Sequence, residues 1–310
     1  MLIRRDKMIH IFIVNPYAGK GAFADDLRLK LSRIEGLNYF VFSTRYKGHE
    51  TELVKEIQDI FENEKLRFYC CGGSGTMRNM LNGFEKLDDA EIAFFPCGLT
   101  NDFLKMFDKD EARFHDIEEL INGDIIDVDY IKSTNGVMLN TLSLGMDLAS
   151  VKKFDDLRLL GVLGETVPYV TSILYAMFVS KNKDFFIELD SGKYEGEVTE
   201  LCFGNGKVLG GELTFWDNAS VVDGVANYRV VFSKTGFSSL PIMNGLIKKD
   251  YNYLNKISKF GQSKHIRIRR KDGGFFSVNQ DGEIVGNETE WEAHIVKKGL
   301  HLVVPKGVTL

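Results

Sequence analysis

Short apolar runs alternate with amphipathic stretches throughout residues 1–126. Apolar, β-branched runs of this length predict strands, and apolar residues spaced by three and four positions predict helices. The predicted strands are Ile9–Val14, Tyr39–Phe42, Phe68–Cys71 and Ile92–Phe95. The predicted helices lie near Ala22–Ile34, Glu50–Phe61, Thr76–Phe84 and Thr100–Met106. Strict alternation of this kind indicates a parallel sheet that is covered by helices on both faces.

The pattern changes at about Asp127, where strand signals separated by turn residues replace the alternation. The predicted strands are Asp129–Ile131, Val137–Ser143, Phe185–Leu189, Val198–Phe203, Val225–Phe232, Ile266–Arg270 and Phe275–Val278. Helical patterns near Tyr169–Val179 and Pro241–Leu254 interrupt them. We therefore predict a Rossmann-like α/β domain over residues 1–126 and a mainly β domain, a sandwich, over residues 127–298.

The overall composition is that of a soluble globular protein, with 44% hydrophobic and 27% charged residues in 310. A net charge of −5 argues against nonspecific binding of nucleic acid. The four cysteines lack the spacing of metal ligands, and we expect reduced core residues. No apolar stretch approaches the roughly 20 residues of a membrane span. These features together predict a cytoplasmic protein.

A glycine-rich turn suggests the first candidate chemistry. Cys71–Gly83 reads C-G-G-S-G-T-M-R-N-M-L-N-G and follows the apolar run Leu66–Cys70. Glycines let the backbone approach an anion, and the amides at the next helix N-terminus favour negative charge. The pattern predicts a site for a phosphate ester, although glycine-rich turns also serve purely structural purposes.

Two further strand ends carry small and polar residues. Asn15–Gly21 follows the first predicted strand, and Pro96–Phe103 follows the fourth. The carboxyl ends of parallel strands meet at one edge of a sheet, where ligands bind in open α/β folds. We expect the three segments to line one crevice.

Taken together, the three segments resemble the diacylglycerol kinase catalytic-domain family, which includes sphingosine kinases and bacterial soluble lipid kinases. Its motifs are N-P-x-[SA]-G, G-G-D-G-T-x-N-E-x-x-N-G, P-x-G-T-x-N-D-F and a late D-G-E. This chain carries them, in order, at Asn15–Gly19, Gly72–Gly83, Pro96–Phe103 and Asp281–Glu283. The resemblance implies that residues 299–310 return to the first domain.

The resemblance also implies ATP and Mg²⁺ as cofactors and assigns candidate roles. The nucleotide-binding candidates are Asn15, Pro16, Tyr17, Ala18, Gly19, Thr44, Gly72, Gly73, Ser74, Gly75, Thr76, Arg78, Asn79, Thr100, Asn101 and Asp102. Asp281 and Glu283 are both candidates for the catalytic base, because phosphoryl transfer to a hydroxyl needs a carboxylate that accepts or orients its proton. The metal candidates are Asp127 and Asp223, the latter with carbonyls at Ser220 and Val225. The Asp-Gly pairs at 223 and 281 are also common turn sequences.

Three departures from the family motifs lie in the nucleotide segments. Ser74 replaces Asp, Arg78-Asn79 replaces Asn-Glu, and Leu99 replaces Thr. The resemblance predicts an ATP-dependent lipid kinase that phosphorylates a diacylglycerol-like hydroxyl. Because of these departures, we keep two alternatives. These are a catalytically impaired nucleotide- or lipid-binding relative and an enzyme similar to NAD kinases. The expected partner is a lipid at a membrane surface, with peripheral association, no nucleic acid, and a homodimer left open. Phe154–Val179 suits either core packing or the mouth of a lipid site.

Overall fold

The computed structural model describes residues 8–18, 23–98, 101–145, 183–209, 213–216, 218–232 and 240–310. The chain forms two compact units, Met1–Asp129 with Lys297–Leu310, and Tyr130–Val296. The sequence-based boundaries at 126/127 and 298/299 lie within a few residues of these divisions.

The first unit is built on a parallel sheet. Its strands are β1 (Ile9–Val14), β2 (Tyr39–Ser43), β3 (Leu66–Gly72) and β4 (Glu91–Pro96), with the last residues of β17 (Glu290–Val304). The helices are α1 (Phe23–Leu31), α2 (His49–Ile60), α3 (Ser74–Leu81) and α4 (Ile117–Ile121). The strand order is β2-β1-β3-β4-β17, and every neighbouring pair is parallel.

The strand order reverses beside β1. The chain passes from β1 outward to β2 and then crosses back to β3 on the other side of β1. The carboxyl ends of β1 and β3 therefore flank the topological switch point, where open α/β sheets bind their ligands.

The helices of this unit bury apolar faces that the sequence pattern predicts. Leu53, Val54 and Ile57 on α2 are at most 7% exposed. The predicted helix Thr100–Met106 is wrong in type and length. It begins at Asp102 as a 3-10 helix that extends to His115, with Asp108 in a non-helical conformation.

The second unit is mainly antiparallel. Its strands are β6 (Gly136–Met138), β7 (Thr141–Gly145), β8 (Lys183–Leu189), β9 (Gly192–Gly204), β10 (Val208–Leu209), β11 (Leu213–Thr214), β12 (Ala226–Phe232), β13 (Ser258–Ser263), β14 (His265–Arg270), β15 (Phe276–Gln280) and β16 (Glu283–Glu288). The helices in its described residues are α5 (Leu240–Lys248) and α6 (Tyr251–Ile257). Strands β5 (Asp124–Ser133) and β17 contribute residues to both units.

The long strand β9 joins two layers of this unit. Its first half pairs with β8, and its second half pairs with β7 and β12. One layer adds β14 and β17, and the other adds β15, β16 and β13. Side chains from both layers, among them Ile187, Phe203 and Trp291, form one buried core. The predicted fold class, a parallel α/β domain followed by a mainly β domain, is confirmed.

Several predicted elements of this unit require correction. The strand predicted over Val137–Ser143 is two strands, because the chain turns at Leu139 and Asn140. The helix predicted over Pro241–Leu254 divides at Lys249, whose φ is 56°. Strands β13 and β16 and most of β17 are absent from the sequence prediction. The predicted helix Tyr169–Val179 lies outside the described residues.

Among the residues that the structure describes, no helix is both long and apolar enough to cross a bilayer.

Candidate functional site

Asn15 joins the loops that follow β1 and β3. Its backbone N–H donates to the carbonyl of Cys71 at 3.0 Å, and its side-chain Nδ2 donates to Oγ1 of Thr76 at 3.0 Å. Its Oδ1 accepts the N–H of Tyr17 at 3.0 Å, which bends the first loop back on itself. The Asn15 side chain therefore uses its nitrogen to hold the start of α3 and its oxygen to hold the loop after β1, both at the switch point.

The loops after β3 and β4 pack backbone against backbone. The carbonyl of Gly72 accepts hydrogen bonds from the N–H groups of Cys97 and Gly98, at 2.8 and 3.1 Å. A Cβ at Gly98 would lie 2.5 Å from Cα of Gly73, and a Cβ at Gly72 would lie 2.5 Å from the Thr76 side chain. The close contact between the two loops therefore requires glycine at positions 72 and 98, independently of any bound anion.

Helix α3 presents its N-terminus at the same place. Gly73 is its N-cap, in an extended conformation, and as a glycine it makes no side-chain capping hydrogen bond. The first turn also has no acidic residue. The backbone amides at a helix start, together with the positive end of the helix dipole, suit a phosphate group.

Three further nucleotide candidates follow strands of the parallel sheet, Thr44 after β2 and Asn101 and Asp102 after β4. Thr44 is buried and donates its N–H to the carbonyl of Val14 at 2.9 Å. Asn101 donates from Nδ2 to the carbonyl of Gly98 at 3.1 Å. Asp102 begins the 3-10 helix and is buried, as is Arg78 on α3.

Other candidates lie at the loop surface or outside the described chain. The ring of Tyr17 is 78% exposed, and Pro16, Ala18, Ser74 and Gly75 are partly buried. Gly19 and Thr100 fall outside the described residues.

Asn79 faces α2. Its carbonyl accepts the Thr51 hydroxyl at 2.7 Å, and its side chain lies near the carboxyl of Glu50. Burial raises the pKa of Glu50, while backbone hydrogen bonding at Glu50, the Asn79 side chain and the backbone at Gly48 partly offset that effect. Glu50 is only 3% exposed.

Three free cysteines lie beneath the crevice. Cys70 and Cys71 end β3, and partly buried Cys97 follows β4. Burial raises the pKa of the Cys97 thiol to about 12 and raises those of Cys70 and Cys71 as well. Since the nucleophilic form is the thiolate, all three are unreactive at neutral pH.

In the second unit, the Asp281 carboxylate accepts hydrogen bonds from three consecutive backbone N–H groups. The donors are Leu139, Asn140 and Thr141, at 2.7, 3.1 and 2.8 Å. Asp281 is 6% exposed and has a φ of 50°. Its N–H in turn donates to the Thr141 carbonyl at 3.0 Å. Asp281 thus holds the turn between β6 and β7, and its carboxylate faces backbone amides.

Glu283 lies two residues further on, at the start of β16, and is partly exposed. The D-G-E sequence therefore divides into a buried anchor and an accessible carboxylate. Sequence alone does not separate these two residues.

Asn140 extends the contacts of Asp281 to a second loop. Its carbonyl accepts the N–H groups of Asn205 and Gly206, and its Nδ2 donates to the carbonyl of Val208 at 2.9 Å. A Cβ at Gly206 would lie 1.7 Å from Oδ1 of Asn140, so only glycine fits there. Sequence analysis assigned no role to Asn140, because an Asn before a strand has no signal that distinguishes a buried link from a turn residue.

One metal candidate, Asp127, belongs to the first unit, and the other, Asp223, belongs to the second. Asp223 Oδ1 accepts the N–H of Val225 at 3.1 Å in a turn with Gly224 at φ 82°. Asp127 Oδ1 lies 2.7 Å from Nδ1 of His301. Among the described parts of the chain, no group of three or more His, Cys, Asp or Glu residues could hold a metal ion. A shell of one carboxylate with carbonyls, as expected for Asp223, Ser220 and Val225, has the hard oxygen donors that Mg²⁺ accepts and stays a prediction.

Comparisons with known proteins agree with the motifs. The diacylglycerol kinase catalytic domain family matches residues 10–133. Curated proteins of Staphylococcus aureus strains MRSA252 and Mu3, both named "Putative lipid kinase", are 25% identical over 270 residues, covering 84% of this chain and 86% of each relative.

Solved structures share the fold. One from Bacillus anthracis, described as a "putative diacylglycerol kinase", covers 98% of this chain and 97% of its own, with a TM-score of 0.73 and 20% identity. A second, described as a diacylglycerol kinase of the same organism, covers 98% of both chains, with a TM-score of 0.65 and 19% identity. Residues 10–133 therefore match the diacylglycerol kinase catalytic domain family, and most of the chain is similar to proteins named as lipid kinases.

Proposed function

We propose that this protein is an ATP-dependent lipid kinase that transfers the γ-phosphoryl group to a hydroxyl of a diacylglycerol-like lipid. The observation that carries the proposal is the Asn15–Thr76 hydrogen bond at the switch point, next to the N-terminus of α3, whose N-cap is Gly73. It supports a phosphate site at the place where this fold class binds nucleotides. The family match favours a lipid kinase over an enzyme similar to NAD kinases.

The phosphates of the nucleotide bind at the Gly72–Thr76 loop and the first turn of α3. Backbone amides there hold the negative charge, and the packed glycines allow close approach. Magnesium, when bound with the nucleotide, neutralises phosphate charge and leaves the protein to align the reacting groups. Asp223, with the carbonyls of Ser220 and Val225, is the proposed structural magnesium site of the second unit, and Asp127 is a separate metal candidate of the first.

Glu283 serves as the base that accepts or orients the proton of the acceptor hydroxyl. Its carboxylate is partly exposed, whereas the carboxylate of Asp281 is engaged by three backbone amides. Asp281 acts as a positioning residue that fixes the turn leading into Glu283. This division supports transfer by alignment of the reacting groups and by electrostatic stabilisation.

The acceptor is a lipid that the protein meets by peripheral association with a membrane from the cytoplasm. A negatively charged chain is unsuited to nonspecific nucleic-acid binding. A homodimer is compatible with this activity but is not needed for it.

The test is transfer of label from γ-labelled ATP to a lipid extract and to purified diacylglycerol, with Mg²⁺ varied. We expect labelled, chloroform-soluble product that depends on Mg²⁺, and its loss in Glu283→Gln. Nucleotide binding without transfer to any lipid would overturn the proposal in favour of the binding-only alternative. Transfer to NAD and not to lipid would overturn it in favour of the NAD kinase-like alternative.

A further inference from the structure

Glu50 is a carboxylic acid of α2 that is buried near Asn79 on α3 and Cys70 on β3. It lies in the first turn of α2, is 3% exposed, and its Oε2 has no hydrogen-bond partner among the described residues. Burial of a carboxyl without full hydrogen bonding costs free energy. A buried carboxyl with a perturbed pKa is a candidate for a functional role, and the sequence pattern did not indicate this one.

The surroundings of Glu50 connect α2 to α3 and β3. Burial raises the pKa of the Glu50 carboxyl, and a hydrogen bond with the Asn79 side chain on α3 partly offsets that rise. Burial also raises the pKa of the Cys70 thiol on β3, and the nearby Glu50 carboxyl adds to it. The next residue, Thr51, donates its hydroxyl to the Asn79 carbonyl at 2.7 Å. Two successive residues of α2 therefore contact the same residue of α3.

Asn79 is one of the positions at which this chain departs from the family motif. The motif has Glu there, and this chain has a neutral amide. The carboxylate is absent from the sequence of α3, yet the structure places one against Asn79 from the neighbouring helix.

We propose that Glu50 supplies from α2 the carboxylate that the family motif places at position 79. Acting through Asn79, it is a positioning residue for α3, whose N-terminus begins five residues earlier at Ser74. The chain after α3 packs closely on α2, because a Cβ at Gly83 would lie 2.6 Å from Cβ of Val54. A change in how α2 holds Asn79 is therefore transmitted along α3 to the loop at Gly73.

The acidic group that the motif has at position 79 on α3 is therefore not lost. It is supplied by Glu50 on α2 instead, and we call this change of helix the exchange. The exchange itself concerns packing within the first unit and stands independently of catalysis. The positioning role rests on the proposed function, because it requires a nucleotide at the loop.

A double-mutant cycle tests the exchange, with the wild type, Glu50→Ala, Asn79→Glu and the double variant. Asn79→Glu alone sets two carboxyls against each other in a buried space, so we expect its melting temperature to fall by about 3 °C or more. In the Glu50→Ala background the new carboxylate has both room and no like-charged neighbour, and the same substitution should have little effect. Additive changes in melting temperature would overturn the exchange.

Calorimetry with ATP and Mg²⁺ tests the positioning role in the same four proteins. We expect Glu50→Ala to weaken nucleotide binding about fivefold and the double variant to restore it to within about twofold of wild type. Glu56→Gln, an exposed change on the same helix, is the matched control and should bind as the wild type does. Unchanged affinity in Glu50→Ala would overturn the role.

The two failures can be told apart. If the wild type binds no nucleotide, the proposed function and the positioning role both fail, while the melting cycle still decides the exchange. If the wild type binds nucleotide and the cycle is additive, only the exchange fails.

Discussion

The side-chain amide of Asn15 donates to the hydroxyl of Thr76 across 3.0 Å, and this hydrogen bond joins the ends of β1 and β3. The two residues are 61 positions apart in the chain. They meet because the sheet order reverses beside β1, which places these two strand ends on either side of the switch point. One hydrogen bond thereby links the first loop to the start of α3.

Removing the Asn15–Thr76 hydrogen bond should weaken ATP binding at the proposed nucleotide site. Asn15→Ala deletes the donor to Thr76 and the acceptor for Tyr17, and a hydrogen bond of this kind contributes about 0.5–1.5 kcal/mol. We expect ATP affinity, measured by calorimetry, to fall about threefold to tenfold, and Thr76→Val to produce a similar loss. In the double variant the losses should not add, since both changes remove the same bond. Independent, additive losses would show that the two residues act separately.

Gly98→Ala should disrupt the packing of the two glycine loops. The new Cβ would lie 2.5 Å from Cα of Gly73, and a backbone atom cannot move aside without moving its strand. We expect a loss of about 1–3 kcal/mol in the free energy of unfolding, measured by urea denaturation, together with weaker nucleotide binding. The control is Gly273→Ala, where no atom lies within 4 Å and only a φ of 69° opposes the side chain. It should leave nucleotide affinity unchanged.

Asp281 and Glu283 should respond differently to neutralisation. Asp281→Asn replaces an acceptor oxygen with an NH₂ group that faces backbone donors, and each buried donor left unpaired costs about 1–3 kcal/mol. The melting temperature of Asp281→Asn should fall markedly. Glu283→Gln should keep its stability and lose turnover by about 10²–10⁴-fold. A stable Asp281→Asn protein would contradict the anchoring role, and a fully active Glu283→Gln protein would contradict the base.

Ser74→Asp restores the residue that the family motif has at this position. A carboxylate in the first turn of a helix is favourable for the helix dipole, so the melting temperature should not fall. The same charge would meet the nucleotide phosphates, and we expect weaker binding of ATP without Mg²⁺ and lower turnover. Retention of the carboxylates Asp102, Asp127, Asp281 and Glu283 favours a site that is already adapted to Ser74. Higher turnover in Ser74→Asp would show that the natural site is impaired.

The stability of the protein should depend on pH through Glu50. Burial raises the pKa of its carboxyl in the folded state, so ionisation costs more when folded than when unfolded. Stability from this group is present at low pH and is lost as the pH rises from the ordinary value of about 4.5 through the raised one. Glu50→Gln should therefore be more stable than the wild type at pH 7, with the difference shrinking toward pH 4. His49 and Cys70 lie near the carboxyl, and an unchanged difference across this range would assign the effect to packing.

Much of the first unit is determined by local sequence. The strand, glycine turn and helix at Leu66–Leu81 follow from apolar periodicity and from the conformational freedom of glycine, both of which act over a few residues. The sequence pattern alone also predicts the change near Asp127 from alternating helices and strands to successive strands. Weaker local signals fail: β13, with the sequence S-K-F-G-Q-S, forms because β12 offers it a hydrogen-bonding edge.

The roles of individual side chains are decided by tertiary structure. The amides that engage Asp281 belong to residues about 140 positions earlier in the chain, so no local pattern distinguishes this aspartate from an ordinary turn residue. Glu50 reads as a favourable acidic residue in a first helical turn, and only the packing of α2 on α3 buries it against Asn79. Local periodicity determines which elements form, because it depends on backbone preference and one buried face. The partners of a polar side chain depend on which distant segments the fold brings within hydrogen-bond distance, and burial then sets how much each partner matters.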